Sequence, residues 1–446
     1  MTFEEILGLL MLAAMVSIIF VGFPIAFTLL FIAIVFGSIA LGTELTFSLA
    51  YLQVWGTMKD DILPAVPLFV FMGFMVEQAG LMERLFLAMR NLLAAVRGSL
   101  YLAVLLTATI FAMATGIVGA AVTVLGIMAA PVMLRSGYDD KLSAGAIAAG
   151  GTLGILIPPS IMLVVMGPTI GVPVNLLYAA AMGPGLLLAS LYIGYCLLRS
   201  FFNPRLGPPV PKAERITSVT ELLRELLVGV VPLAALIGFT LGTILVGLAT
   251  PTEAASCGAF GATLLAAAYG KLSWKSLKNT ALSTLLTSSM VLFLAVASNV
   301  FGAVFTKLGA TDLISSALMA VPLPDMAKLL LVMMLIFVLG WPFEWPAIIL
   351  VFLPIFLPVV EQLNLGLSPQ EAMIWFGALV AVNLQTAFLS PPVAMSAYYL
   401  KNVVPQWSLG AIYRGMAQFM VIQVICLAAV LLWPSLALWL PRLMQQ

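Results

Sequence analysis

The residues of this chain that could do chemistry are few, and they stand where apolar runs break. GGTLGILIPPSIM, residues 150–162, packs three glycines, a Thr, a Ser and two adjacent prolines into an apolar setting. NLQTAFLSPPVAM, residues 383–395, does the same with an Asn, a Gln and a second double proline, and WPFEWP, residues 341–346, sets Glu344 between two proline turns. Proline removes a backbone donor and interrupts a helix. At membrane depth an unpaired backbone group costs several kcal/mol, so broken backbone persists there only inside protein or beside water. The chemistry such breaks supply is binding. Freed carbonyls with Thr, Ser and Asn oxygens suit a small hard cation, and half-helices that begin after a proline turn their N-termini toward an anion. Pro158, Pro159, Ser160, Pro391 and Pro392 are therefore candidates for contact with an anionic substrate. Glu344 lies inside an apolar span, where a carboxylate is functional by default. It reads as a cation ligand, a proton carrier or a partner for freed backbone donors.

Catalysis is excluded on several counts. The chain has no histidine, which removes His-ligated haem, a zinc-hydrolase His pair and a Ser-His triad. No GxxxxGK[ST] loop occurs, so the chain does not itself consume ATP. Cys196, Cys257 and Cys426 stand in apolar runs without paired spacing and read as packing residues. No cofactor is implied, and a net charge of +1 makes no case for nucleic acid. TPTEAAS, from 250, is tempting because of Glu253, but Thr250, Pro251 and Glu253 are spaced as a capping box with proline at the first helical position. Asn299 reads as an interhelical hydrogen-bonding residue.

The elements that must position these breaks are membrane helices. The 446 residues are 63% hydrophobic and only 8% charged, which predicts an all-α polytopic membrane protein. Runs of about 20 apolar residues mark spans at 5–20, 22–40, 63–79, 100–134 (broken near 115), 176–198, 226–246, 249–269, 281–305, 327–360 (broken near 342) and 412–440. The first has no basic n-region or cleavage site and reads as a retained helix. The stretches near 143–170 and 372–399 each carry a double proline between halves too short to span, and are expected to be re-entrant hairpins. With the N-terminus outside, the cytoplasmic segments collect 13 Lys and Arg against 6, among them Arg135 and Lys141, on the other side. That sign agrees with the positive-inside rule.

The chain is also written twice. GFPIAFTLLFIAI from 22 pairs with GLATPTEAASCGAFGA from 247, VEQAGLMERL from 76 with FTKLGATDLI from 305, ATGIVGAAV from 114 with GWPFEWPAI from 340, and residue 150 with residue 383. Offsets run from 225 to 233. Five spans and one hairpin per half place the second half upside down, an inverted-topology repeat, and matched broken helices in such repeats mark the binding site of a secondary transporter. The proline-rich, basic segment 199–225 reads as a cytoplasmic linker. The expected division is a scaffold of 1–99 and 226–326, and a transport unit of 100–198 and 327–446.

AGGTLGILIPPS after GYDDKLSAGAIA, then TPTEAA, then NLQTAFLSPP, in that order, resemble the large membrane subunit of tripartite ATP-independent periplasmic (TRAP) transporters, the DctM-like family. The resemblance covers essentially the whole chain. It implies sodium-driven uptake of an organic acid by an elevator-type motion, as in the wider ion-transporter superfamily, in a bacterial inner membrane among its lipids. It also implies a periplasmic substrate-binding protein and a small membrane subunit, here a separate chain. The family's sodium sites carry over to Thr115, Gly116, Gly119, Gly151, Thr152 and Gly154 in the first half, and to Glu344, Asn383, Thr386 and Ser390 in the second. The second break departs from the family's TPP-Val-Gly form, since Ser390 replaces the Thr and Ala394 the Gly. WPFEWP is bulkier than the small-residue turn the family suggests there. The alternatives are a stand-alone anion transporter of the same build, or a proton-coupled one resting on Glu344.

Overall fold

The computed structural model describes residues 2–210, 215, 218–391 and 394–445, and the side chains of these apart from Ala114 and Thr115. The first half runs α1 (Phe3–Phe20), α2 (Ile25–Leu41), α3 (Thr43–Met58), α4 (Ala65–Gln78), α5 (Leu81–Leu93), α6 (Ser99–Thr115), α7 (Val118–Arg135), α8 (Asp140–Leu156), α9 (Ile161–Ile170) and α10 (Val174–Phe202). The second runs α11 (Val219–Gly229), α12 (Val231–Leu245), α13 (Pro251–Ala268), α14 (Trp274–Lys307), α15 (Ala310–Met319), α16 (Asp325–Leu339) and α17 (Trp345–Ala347). A π-helical turn, Ile348–Phe352, carries α17 into α18 (Leu353–Glu361), followed by α19 (Pro369–Leu389), α20 (Met395–Val403), α21 (Leu409–Leu432) and α22 (Ser435–Met444). Among the described residues there is no strand. Seven helices among the described residues are long and apolar enough to cross a membrane, nine if each bent pair counts as one span. This is a polytopic all-helical membrane protein.

Local chemistry explains the boundaries. Thr2 and Glu5, Thr250 and Glu253, and Ser368 and Glu371 each close a reciprocal capping box, two of them with proline at the next position. Glu253 is thus a helix-starting residue, as its spacing predicts. Asn299 donates to Thr57 Oγ1 at 2.9 Å, tying α14 to α3 as expected. Pro354, which has no N–H to give the ladder, stands just where the π-turn ends. The helix α3 was not foreseen, because its apolar residues are interleaved with Thr, Glu, Ser and Gln and never make a long run.

The chain path overturns one expectation and exchanges two roles. The α6–α7 pair is a re-entrant hairpin rather than a broken span. The amide of Leu100, at the start of α6, donates to Tyr138 Oη at 3.2 Å, just past the end of α7, and the Tyr101 and Tyr138 rings pack 4.8 Å apart. Both arms therefore open on one face, the face where Gly98 N–H donates to Gly207 O in the linker. Conversely 143–170, expected to be a hairpin, is a broken span: α8 and α9 lie end to end with a bend of 43°. α10 runs back past both in turn. Gly167 faces Val174, Tyr178 donates to Ser160 O at 3.4 Å, and Gly185 faces Ile157.

The second half follows the same pattern from the other side. Asn364 N–H donates to Asp325 Oδ2 at 3.0 Å, which brings the base of α18 beside the base of α16. Residues 327–360 are therefore the hairpin, and 372–399 the broken span. α19 passes down α21 from Trp375 against Val430 O to Ser390 against Met420, and the path ends at Trp407, which donates to Asp140 Oδ1 on the linker face. The second hairpin therefore opens on the face opposite the first. With the roles exchanged, Arg135 and Lys141 move to the linker face, and the count of Lys and Arg becomes 15 against 4.

The two broken spans form the interior. Every residue of α8 from Leu142 to Leu156 is buried, and 89% of the apolar window of α19 is buried against 22% for α1. A helix apolar on all sides belongs inside, so the breaks are enclosed by protein, as their unpaired backbone requires.

Candidate functional site

Each half builds a junction in which a hairpin tip rests on a proline break. In the first half α6 ends because Gly116 turns into the left-handed region, φ 59° and ψ 11°, which only glycine adopts freely. Gly116 packs on Ile161, the first residue after the break, and Gly154 lies against Ala112, where a Cβ would stand 3.6 Å from the Ala112 Cα. Pro158 and Pro159 have no N–H, so the helical carbonyls of Gly154 and Ile155 lose their donors. Ser160 Oγ serves the Ile155 carbonyl at 2.5 Å, which leaves Gly154 O at the tip. Thr152 Oγ1 donates to Ala149 O at 2.8 Å. Thr152, Ser160 and the cis Pro158–Pro159 bond are all buried. Gly151 packs on the return arm instead, where a Cβ would meet Val122 Cγ2 at 2.3 Å.

In the second half the equivalent of Gly154, at an offset of 233, is Ala387. Pro391 denies its carbonyl a helical donor in the same way. The tip glycine Gly340 faces it, with a Cβ there falling 3.1 Å from Ala387 Cβ. Asn383 reaches from α19 to the hairpin, its Nδ2 donating to Met333 O at 2.7 Å, while its buried Oδ1 has no partner among the described residues. Thr386 Oγ1 donates to Asn383 O at 2.6 Å, and Ser390 Oγ to Thr386 O at 2.7 Å. Both junctions offer neutral oxygens, and an orphaned buried oxygen such as Asn383 Oδ1 is the kind an ion or a water satisfies. Pro391 is exposed at the break, and Pro392 lies outside the described residues, as does the side chain of Thr115.

Two expected members belong elsewhere. Gly119 faces the second half, since a Cβ there would stand 3.0 Å from the ring of Tyr399 on α20. Glu344 does not join Asn383, Thr386 and Ser390. At the position just before α17 it is exposed into a separate 480 Å³ cavity lined by residues 24–27 at the start of α2 and by Ser289, Met290, Val291, Phe293 and Leu294 of α14. The backbone reason is the turn at 340–344, which points Gly340 at α19 and swings Glu344 toward the other helices. A larger cavity of 860 Å³ separates α3 and α14 from α9 and the second hairpin's return arm, and it reaches Asp60 and Lys307 at the face away from the linker.

Sequence reasoning missed Tyr399 and a buried polar group behind the breaks. Gln385 is fully buried with neither amide atom paired among the described residues, and Gln423 Nε2 donates to its backbone carbonyl at 3.4 Å. The signal was present in the QT of NLQTAFLSPP, a polar pair between apolar neighbours. Ala394 is a third finding. Where the family pattern has Gly, this alanine sits at φ 33° and ψ 58°. The left-handed region costs a non-glycine residue about 1–2 kcal/mol. Ala394→Gly should therefore stabilise the fold by about 0.5–1 kcal/mol, once glycine's greater freedom in the unfolded chain is subtracted. Thermal unfolding in detergent reads this as a higher Tm, and a Tm at or below that of the unsubstituted chain would refute the strain.

Residues 12–436 match the family described as tripartite ATP-independent periplasmic transporter, DctM component. The chain is 28% identical to the sialic acid TRAP transporter large permease protein SiaM of Vibrio cholerae, over 96% of each chain. It is 30% identical to the C4-dicarboxylate TRAP transporter large permease protein DctM of Pseudomonas aeruginosa, over 88% of each. The isethionate TRAP transporter permease protein DctMQ of Oleidesulfovibrio alaskensis is 27% identical over 90% of this chain and 64% of that protein. In fold it is similar to the YdaH transporter of Alcanivorax borkumensis, with a TM-score of 0.60 at 16% identity over 89% of each chain. Its relatives are permease subunits rather than enzymes, and the chain belongs to the DctM family, the large permease component of tripartite ATP-independent periplasmic transporters.

Proposed function

We propose that this permease takes up an organic acid across the bacterial inner membrane, driven by sodium and working with a periplasmic binding protein and a separate small membrane subunit. The observation that carries the reading is the duplicated junction. Gly154 against Ala112–Gly116 and Ala387 against Gly340 each bring a carbonyl without its helical donor to a hairpin tip. Neutral oxygens from two chain segments suit a monovalent hard cation, and Thr152, Asn383 and Thr386 stand beside them. Hairpins opening on opposite faces support an inverted repeat, with the linker face cytoplasmic because it collects the cations. Sialic acid, C4-dicarboxylates and isethionate, named for the relatives, are all organic acids. The moving unit is 100–198 with 327–446, carried against a scaffold of 1–99 and 226–326.

The test is the Tm of the purified chain in sodium, potassium and choline buffers. A ligand that binds only the folded state at a hundredfold excess over its Kd adds about 2.7 kcal/mol. A sodium-specific rise, reduced by Thr152→Ala, Asn383→Ala and Thr386→Ala, is expected. Equal Tm in all three cations, with the chain folded, would overturn sodium coupling.

A further inference from the structure

The cavity at the second hairpin tip has a chemistry of its own. Its lining is apolar and aromatic: Phe27 and Phe293 meet edge to face with centroids 5.2 Å apart, and Leu294 and Pro346 complete the walls beside Ser289. Among the residues lining it, Glu344 is the only charged one. Its backbone carbonyl receives the amides of Ala347 and Ile348, but its carboxylate makes no hydrogen bond or ion pair among the described residues. A capping role is a poor account of it, because no side-chain bond to the start of α17 is made.

A carboxylate in an aromatic-walled hollow attracts a cation, and aromatic faces add to that attraction when the cation is an ammonium. The place matters as much as the chemistry. The cavity is walled on one side by the hairpin tip and on the other by α2 and α14, so an occupant touches both units that the proposed motion would separate. We infer that Glu344 recognises an ammonium group on the transported solute, so that the solute is an amino acid-like zwitterion rather than a simple dicarboxylate. This rests on the transport reading above and narrows it. The anionic end is left for the half-helix starts beyond the proline breaks.

The experiment compares 4-aminobutyrate with succinate, two four-carbon probes that differ in one terminal group, by thermal shift of the full chain at fixed sodium. The expected result is an apparent Kd for 4-aminobutyrate at least tenfold below that for succinate. E344Q should abolish the difference and E344D should retain most of it. Equal or tighter binding of succinate, or discrimination that survives E344Q, overturns the inference. So does an E344-dependent shift seen only with phosphatidylethanolamine in the bilayer, which would assign the ammonium to a lipid headgroup.

A second measurement covers the case in which E344Q fails to fold. In a Cys257→Ser background, Ser289→Cys places a thiol in the same cavity. The trimethylammonium-bearing methanethiosulfonate reagent should modify it at least tenfold faster than the sulfonate-bearing one. A ratio near one would overturn the electrostatic basis. The sodium-dependent Tm rise is read in the same samples. If it persists while the probes are not discriminated, the substrate inference alone falls; if it is absent, sodium coupling falls by itself.

Discussion

Gly415→Ala is expected to remove most of the folded protein. A Cβ at 415 would stand 2.0 Å from Lys141 O and 2.9 Å from Gly145 N, both backbone atoms of α8. No rotamer change relieves that contact. The reciprocal glycine, Gly145, is equally confined, since a Cβ there would meet the Phe419 ring at 2.7 Å. Overpacking costs about 1–3 kcal/mol where side chains can yield, and more where they cannot. Here two helices must part, so roughly 3 kcal/mol or more is expected. Thermal unfolding and size-exclusion profile of the detergent-purified chain check it. Gly410→Ala is the control, in the first turn of the same helix with nothing within 4 Å of an added Cβ. A Tm for Gly415→Ala equal to that of the control would show that the helices cross less closely than described.

The second large effect concerns motion. The Phe20 ring at the end of α1 lies 6.3 Å from the Phe343 ring at the tip of the second hairpin, across the boundary between the proposed scaffold and the proposed moving unit. Joining Phe20→Cys to Phe343→Cys with a short bifunctional maleimide, in a Cys257→Ser background, should reduce solute uptake to that of empty vesicles. The sodium-dependent rise in Tm should remain, because neither junction is touched. Single-cysteine controls treated with the same reagent should transport normally. Uptake that survives complete crosslinking would sink the proposed motion while leaving the proposed sodium sites standing.

The sequence carried the breaks but not their direction. Apolar run length and the double prolines located 115, 158–159, 342 and 391 because these depend on local backbone chemistry. Whether a broken apolar stretch turns back or continues depends on what packs beside it, and Tyr138 beside Leu100 is a contact no periodicity encodes. One available signal did bear on it. Treating 100–134 as a span puts Arg135 and Lys141 on the cation-poor side, and treating it as a hairpin moves both, so the steeper charge asymmetry favoured the arrangement found. The capping box at Thr250 was fully legible because it spans four residues. The direction of Glu344 was not, because five residues of turn decide it.

The halves also complete one another. Gly119 and Gly126 of α7 pack on Tyr399, Leu400 and Val403 of α20, and α9 packs on the π-turn and α18 of the second hairpin. Each hairpin's return arm is thus covered by a segment from the other half. During synthesis, α7 leaves the ribosome about 270 residues before α20, roughly 15–55 seconds at ordinary elongation rates. For that interval the first hairpin is inserted with its covering segment still unmade, and lipid or the insertion machinery must shield its glycines. The order of translation therefore sets the order of assembly: the return arm of the first hairpin is covered only when α20, near the end of the chain, arrives.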